Sequence, residues 1–369
     1  MKRRTTLKTI GGIAGTVALG PSVVSADESW PREETGLFLT HQQVQDELDS
    51  IQRRSRVEFE LEDIGESYEG RELTVARIGE GDTDVFITTE QHGDEPTGTL
   101  AALRDLEEFA VTNSPYARTV RENLTVHVLP MHNPDGAMRN QRENALPEDY
   151  TWEDPYFGEQ TGPADPNRQH YFGFTEDELQ ELDGDDFDAD VGIPDENPSP
   201  ETQAMLDYVL DLEPLWVADL HTQSGMYHND KENPGHLDHS SNAWPFNPNI
   251  DEEGRNISKR MNVAMYDRGS DVANANVTLY HIGGTTVNIA RNAYGAYGFG
   301  SVLNEMTGQT GDRGERREGQ MVRIVREENR AILEETADES LFERDPDRTE
   351  EIPDRGEWAE WPWQREQPE

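Results

Sequence analysis

The stretch "TTEQHGDEPTG", residues 89 to 99, sets His92 and Glu95 three apart where an apolar run ends. A second imidazole, His221, closes another apolar run, "PLWVADLH". Two imidazoles and one carboxylate from neighbouring strand ends form a three-ligand shell with room for a water, the pattern of catalytic zinc. A His-x-x-Glu pair alone is common in surface turns, so the third ligand decides the reading. The same ligand types also hold the iron of non-haem oxygenases, and analysis of the bound metal separates the two.

Such a shell needs a scaffold that brings strand ends together. The runs "ELTVARIG", "DVFITTE", "LTVHVLP", "PLWVADLH" and "GFGSVLNE" read as strands, mostly continuous apolar segments bounded by polar or glycine residues. Helical patterns alternate with them. "THQQVQDELDSIQRR" places Thr40 and Gln43 at capping-box spacing, with Val44, Leu48 and Ile51 on one face. "PTGTLAALRDLEEFAVT", "SPETQAMLDYVLDL", "NISKRMNVAMYDRG" and "GERREGQMVRIVREENRAILEETADE" are further helices. The alternation predicts an α/β single-domain sandwich over about residues 35–340, a mixed, mostly parallel sheet flanked by helices. In such sheets functional groups collect beyond the C-terminal strand ends. His92 and His221 both fall there, and Pro96 suits the first turn of the helix that follows. The segment 341–369, acidic and rich in Pro and Trp, is expected to be a loosely attached tail.

Composition narrows the partners. Lys+Arg number 32 against 76 Asp+Glu, a net charge of −44, which repels nucleic acid and anionic membranes. After the first ten residues Lys231 and Lys259 are the only lysines. An acidic, lysine-poor surface suits work in concentrated salt, where the Debye length falls to roughly 3 Å and self-repulsion is screened. Residues 1–26 carry a basic start with Arg3-Arg4, an apolar stretch from Ile10 to Val24 and small residues at Ser25 and Ala26. They read as a twin-arginine-type signal peptide and predict an extracellular protein, exported folded, with no membrane anchor in its mature form. With no Cys in the chain, no disulfide is available.

"HGDE", "NPDG" (133–136), "DPNRQH" (165–170), "DLH" and a late glutamate in "LNEMTG" follow in one order, with "IGESYEGREL" (64–73) upstream. This series resembles the carboxypeptidase A-like zinc metallocarboxypeptidases over about residues 40–310. The resemblance implies one zinc per chain on His92, Glu95 and His221, and Glu305 as the catalytic glutamate. It also implies Asn167 and Arg168 as the grip on a substrate's C-terminal carboxylate, and Arg142 as the arginine that polarises the scissile carbonyl. Arg71 is implied as an outer substrate-cleft arginine and Tyr280 as a tyrosine closing over peptide substrate. The residue types suit those roles. A carboxylate beside the water can shuttle its proton to the leaving amine, an arginine can meet developing oxyanion charge, and a fixed guanidinium pairs two-pronged with a chain-end carboxylate.

The sequence also departs from the family. An insertion, "ALPEDYTWEDPYFGEQTGP", follows Asn144 and leaves Arg139 as an alternative to Arg142. Pro166 stands where an aliphatic residue is usual in the family, and "GGTTVNIARNAYGAYG" aligns in more than one way with its specificity loop, so the resemblance implies Thr286, Val287 or Asn288 at the pocket floor and leaves Arg291 unassigned. A zinc-dependent deacylase or amidase acting on N-acyl amino acids is the alternative function; activity on plain dipeptides and longer peptides separates the two. An exported binding protein that keeps zinc without turnover is a third reading, against which Glu305 counts. His127 and His132 read as structural, His170 as packing or as an outer partner of the metal shell, and His228, His236 and His239 as solvated. The run "DGDDFDADVG" reads as a solvated acidic loop rather than a calcium site.

Overall fold

Central strands buried on both faces alternate with helices along the chain, and the computed structural model shows what they build. It describes residues 38–223, 226–228, 236–273, 275–281, 284–307 and 314–358, all within one compact unit that begins at Pro31. The proposed signal peptide and residues 359–369 lie outside the described residues.

In chain order the elements are α1 (His41–Arg54), β1 (Phe59–Glu66), β2 (Glu72–Gly79), β3 (Thr83–Thr89), α2 (Thr97–Val111), α3 (Pro115–Asn123), β4 (Leu124–Leu129) and α4 (Pro134–Arg139). A hairpin, β5 (Thr151–Asp154) and β6 (Gly158–Thr161), is followed by α5 (Glu176–Asp183), α6 (Pro200–Leu212), β7 (Trp216–Gln223), β8 (Met226–His228), β9 (His236–Leu237) and β10 (Ser240–Ala243). The remainder is α7 (Glu252–Ala273), β11 (Val277–Leu279), α8 (Ala290–Ala296), β12 (Gly300–Thr307), α9 (Gly314–Ala337) and β13 (Glu357–Trp358).

Eight strands form one sheet in the order β1-β2-β4-β3-β7-β12-β10-β11. Its centre, β4-β3-β7-β12, is parallel, while β1–β2, β2–β4 and β10–β12 are antiparallel. The expected mixed, mostly parallel sheet with helices on both faces is therefore the fold. Side chains alternate across it. Trp216 and Ala218 of β7 join the layer of Leu48, Phe109, Met261 and Ile332, whereas Val217 joins Phe86, Met205, Val209 and Tyr294 on the opposite face. Helix starts follow their sequence signals: Thr40 and Gln43 complete the capping box of α1, and Ser199 caps α6 with Pro200 in its first turn.

One stretch adds to the sequence reading and another differs from it. The insertion after Asn144 is a β-hairpin in which Thr151 pairs with Thr161, fastened by Asn144, whose Oδ1 accepts from Ala164 N–H and whose Nδ2 donates to Pro198 O. Residues 341–358 pack on the domain. Leu341, Thr349 and Ile352 are buried, Arg344 and Arg348 pair with Asp267, and β13 pairs with β8. Low hydropathy hid this segment because arginine–carboxylate pairs hold much of it.

Candidate metal centre

Strand ends deliver the cluster. β3 stops at Thr89 and the chain turns so that His92 and Glu95 lie just beyond it. His221 sits near the end of the adjacent parallel strand β7, and Glu305 of β12 lies in register beside it. The ligand-type atoms of His92, Glu95 and His221 all lie within 4.8 Å of one another, and all three side chains are buried. His92 Nδ1 and Glu95 Oε1 are 2.9 Å apart, His221 Nδ1 and Glu95 Oε2 2.7 Å, and the two Nδ1 atoms 3.0 Å.

The outer faces of both rings are held by carboxylates. His92 Nε2 donates to Asp165 Oδ1 at 3.2 Å and His221 Nε2 to Asp219 Oδ2 at 2.9 Å. A carboxylate there fixes the proton on Nε2 and leaves Nδ1 as the inward lone pair, the arrangement that orients and strengthens metal-ligating histidines. Two such lone pairs and a carboxylate pointing at one another repel unless a cation lies between them. The donor set thus fits zinc. The electrostatics agree. Burial would push both imidazoles down, but Glu95 and Asp165 raise His92, and Asp219 and Glu95 hold His221 well above its ordinary value. Burial also opposes the charge of Glu95, yet His92 and His221 keep it far below the usual carboxylate range. The carboxylates facing the two rings make this a site arranged around positive charge.

Glu305 is the one residue of β12 left partly exposed at this end. Enclosure by the surrounding protein, with Glu95 beside it, pushes it up. Arg142 reaches the cluster as well. Its Nη1 lies 3.1 Å from His92 Nδ1, and its Nε and Nη2 donate to Asp165 Oδ2 at 3.0 and 2.9 Å. Arg139 instead pairs with Glu69 at the surface, so the structure brings Arg142, not Arg139, to the metal shell.

Asn167 and Arg168 follow Asp165 in a one-turn 3-10 helix whose first residue is Pro166, a position that suits its fixed φ. Asp165 Oδ1 caps the turn at Asn167 N–H. Asn167 Oδ1 accepts from Ala290 N–H at 2.9 Å, and its Nδ2 stands 3.5 Å from His221 Nε2. Arg168 is about one-third exposed, with Nη1 on its neighbour's carbonyl and 3.8 Å from Asp165. Tyr280 follows β11, its N–H donating to Asn242 O and its ring stacked under the Arg355 guanidinium at 3.8 Å. The described side-chain contacts of Arg71 are with Glu69 and Asp135.

Sequence reasoning singled out neither Asp165 nor Asp219. Both lay in the quoted "DPNRQH" and "DLH", but one carboxylate among 76 acidic residues has no distinguishing type. Of the other histidines, His127 is structural, bonded to Tyr208 and Asp84. His170 meets Gln91 in the interior, where burial pushes it down to about 4. His239 was expected to be solvated; instead its Nδ1 accepts from Asn276 N–H. The side chains of His228 and His236 lie outside what is described. Among the described residues, no metal-type cluster forms at Asp186, Asp188 and Asp190.

Comparison with known proteins agrees with this geometry. Residues 44–328 match the family model "Zinc carboxypeptidase" of the M14 peptidases, which spans every residue of the cluster. Mouse cytosolic carboxypeptidase 6 is 32% identical over 105 residues, 26% of this chain but only 19% of that protein. The fold is shared with a Burkholderia cenocepacia metallo-carboxypeptidase (TM-score 0.55, 16% identity, 82% of this chain and 70% of that one). It is shared also with thrombin activatable fibrinolysis inhibitor (TM-score 0.58, 12% identity, 83% and 78%). The chain belongs to the zinc carboxypeptidase family.

Proposed function

We propose that this enzyme removes residues from the C-termini of peptides, with one zinc on His92, Glu95 and His221. The observation that carries the proposal is the convergence of two inward-facing Nδ1 atoms and the Glu95 carboxylate, each imidazole backed by its own carboxylate. Zinc there supplies a water whose pKa falls to about 7 and Lewis-acid polarisation of the peptide carbonyl. Glu305, in register with His221, takes a proton from the attacking water and returns it to the leaving amine nitrogen. Arg142, oriented by Asp165, points a guanidinium at the place where oxyanion charge develops. Arg168 and the Asn167 Nδ2 donor take the terminal carboxylate, which restricts cleavage to chain ends. Tyr280 closes one side of the cleft. Arg71 contributes at most to the outer wall through its pairs with Glu69 and Asp135.

Residues 1–26 are proposed as the export signal, and the −44 net charge as adaptation of an extracellular enzyme to salt. No helix of the described residues is long and apolar enough to cross a membrane.

The test uses paired peptides with free and amidated C-termini, read by mass spectrometry in high salt. Stepwise shortening of the free acids is expected, with the amides resistant. Losing a buried charge partner costs about 2–5 kcal/mol, so Arg168→Ala should cut kcat/KM on free acids by about 30-fold or more. It should change little on amides and leave zinc content intact. Equal cleavage of amides and acids by the wild type would remove the exopeptidase reading.

A further inference from the structure

Arg291 is a cation the proposed chemistry does not use. It is the second residue of α8, following Ala290, whose N–H holds the Asn167 side chain near His221. It is only 3% exposed. Its one described hydrogen bond is from Nη2 to Gly284 O at 3.2 Å, its buried Nε has no partner, and among the described residues it forms no ion pair. The rings of Phe246 and Tyr280 lie 5.2 and 5.8 Å from its guanidinium carbon. Aromatic faces offset part of the cost of burying a charge, but a guanidinium withdrawn from water without a counter-ion still costs several kcal/mol. Three residues earlier, Asn288 is equally enclosed, and its Nδ2 also lacks an acceptor. Two buried donors within four residues lack acceptors, one of them on a charged group, and an anion is the partner such donors would take.

The surroundings say where that anion would come from. The Ala290 N–H next to Arg291 holds Asn167, whose Nδ2 stands 3.5 Å from His221 Nε2, and the guanidinium lies 5.8 Å from the Tyr280 ring, which puts Arg291 beside the proposed reaction. Burial lowers it only to about 10, so it stays a cation at neutral pH. Arg168 is the more open of the two arginines and is already allotted to the α-carboxylate. A ligand with a second carboxylate on its terminal side chain would satisfy both.

Resting on the carboxypeptidase reading, we propose that Arg291, assisted by Asn288, selects substrates whose C-terminal residue is glutamate or aspartate. The enzyme would be an acidic-residue exopeptidase. A neutral or basic terminal side chain would leave the guanidinium buried and unpaired, and a lysine would add a second cation beside it.

The experiment compares otherwise identical peptides ending in Glu, Gln, Leu and Lys. For the wild type, kcat/KM on the Glu peptide should exceed that on its Gln isostere by about 10²-fold or more, given the cost of an unpaired buried charge. In Arg291→Met the ratio should collapse to within about fivefold. Wild-type preference for Gln, Leu or Lys ends overturns the inference while leaving the carboxypeptidase reading standing, and so does a Glu preference that survives in the variant. Calorimetry on metal-free wild-type protein needs neither turnover nor a variant. Tighter binding of the Glu peptide than the Gln peptide supports the assignment even if no peptide is cleaved, and equal binding overturns it.

Discussion

Replacing Asp219 by asparagine probes the metal centre through a residue that touches neither substrate nor metal. Asp219 Oδ2 accepts from His221 Nε2–H at 2.9 Å, with both side chains buried. Asparagine can accept the same hydrogen bond through its amide oxygen, so the ring keeps its direction. What disappears is the negative charge that, against the opposing effect of burial, does most to hold His221 well above its ordinary value. Outer carboxylates of this kind typically contribute 10–100-fold to metal affinity, or about 1.4–2.8 kcal/mol at 1.4 kcal/mol per factor of ten. The upper end is expected here. Asp219 Oδ1 has no hydrogen-bond partner, so no other donor dilutes the charge that Oδ2 presents to the ring. The assay is competition for zinc between metal-free protein and a chromophoric chelator, followed by kcat at saturating zinc. Zinc affinity should fall close to 100-fold while kcat at saturation falls by much less. Asp165→Asn is the contrast. Asp165 also holds Arg142 and stands beside Arg168, so its loss should lower kcat/KM at saturating zinc as well. Unchanged zinc affinity in Asp219→Asn would refute the account of how the ligands are oriented.

Glu305→Gln keeps the shape of the side chain but cannot take a proton. Turnover should drop by about 10²–10⁴-fold with zinc content unchanged, and a rate within tenfold of wild type would remove Glu305 from proton transfer. Glu328, buried under Asn304, Ser240 and Asn242, is pushed up from 4.5 to about 7 by burial, against the pull of those hydrogen bonds. Its folded pKa is raised, so its contribution to stability is full below about pH 4.5 and is lost as pH rises through about 7. That loss is about 3 kcal/mol at 1.36 kcal/mol per pKa unit. Asp105 and Glu201, raised to about 6 and about 7, slope the same way, so the readout is the difference between wild type and Glu328→Gln in denaturant titrations from pH 4 to 8. A constant difference across that range would show that Glu328 does not titrate as described.

How much could be read in the sequence depended on whether a residue's partner was implied by its own type. β3, β4 and β7 announce themselves because both faces are covered and the sequence becomes a continuous apolar run. β1 does not. It is an edge strand, "FELEDIGE", with little more than Phe59 buried, and no apolar run marks it. β10 is hidden for the opposite reason. All four residues of "SSNA" are buried, satisfied by Glu328, Asn304 and Thr278 from other elements. No local pattern encodes such a network. Zinc-type ligands were legible because few side chains can do that chemistry; the carboxylates behind them were not, because their function comes entirely from what they face.

Asp165 shows what that hidden layer does. One half-buried carboxylate accepts from the outer nitrogen of His92, takes two donors of Arg142, stands 3.8 Å from Arg168, and caps the turn that presents Asn167. Burial opposes its charge, yet His92 and the two arginines keep it ionised far below the usual carboxylate range. The metal shell and the proposed oxyanion and carboxylate grips therefore share a single fixed anion, so their relative positions cannot drift independently. The two arginines it anchors each keep about a third of their side-chain surface open toward ligand. Arg291 has neither an anchor of that kind nor an opening, which is why its charge calls for a partner that only a bound substrate would bring.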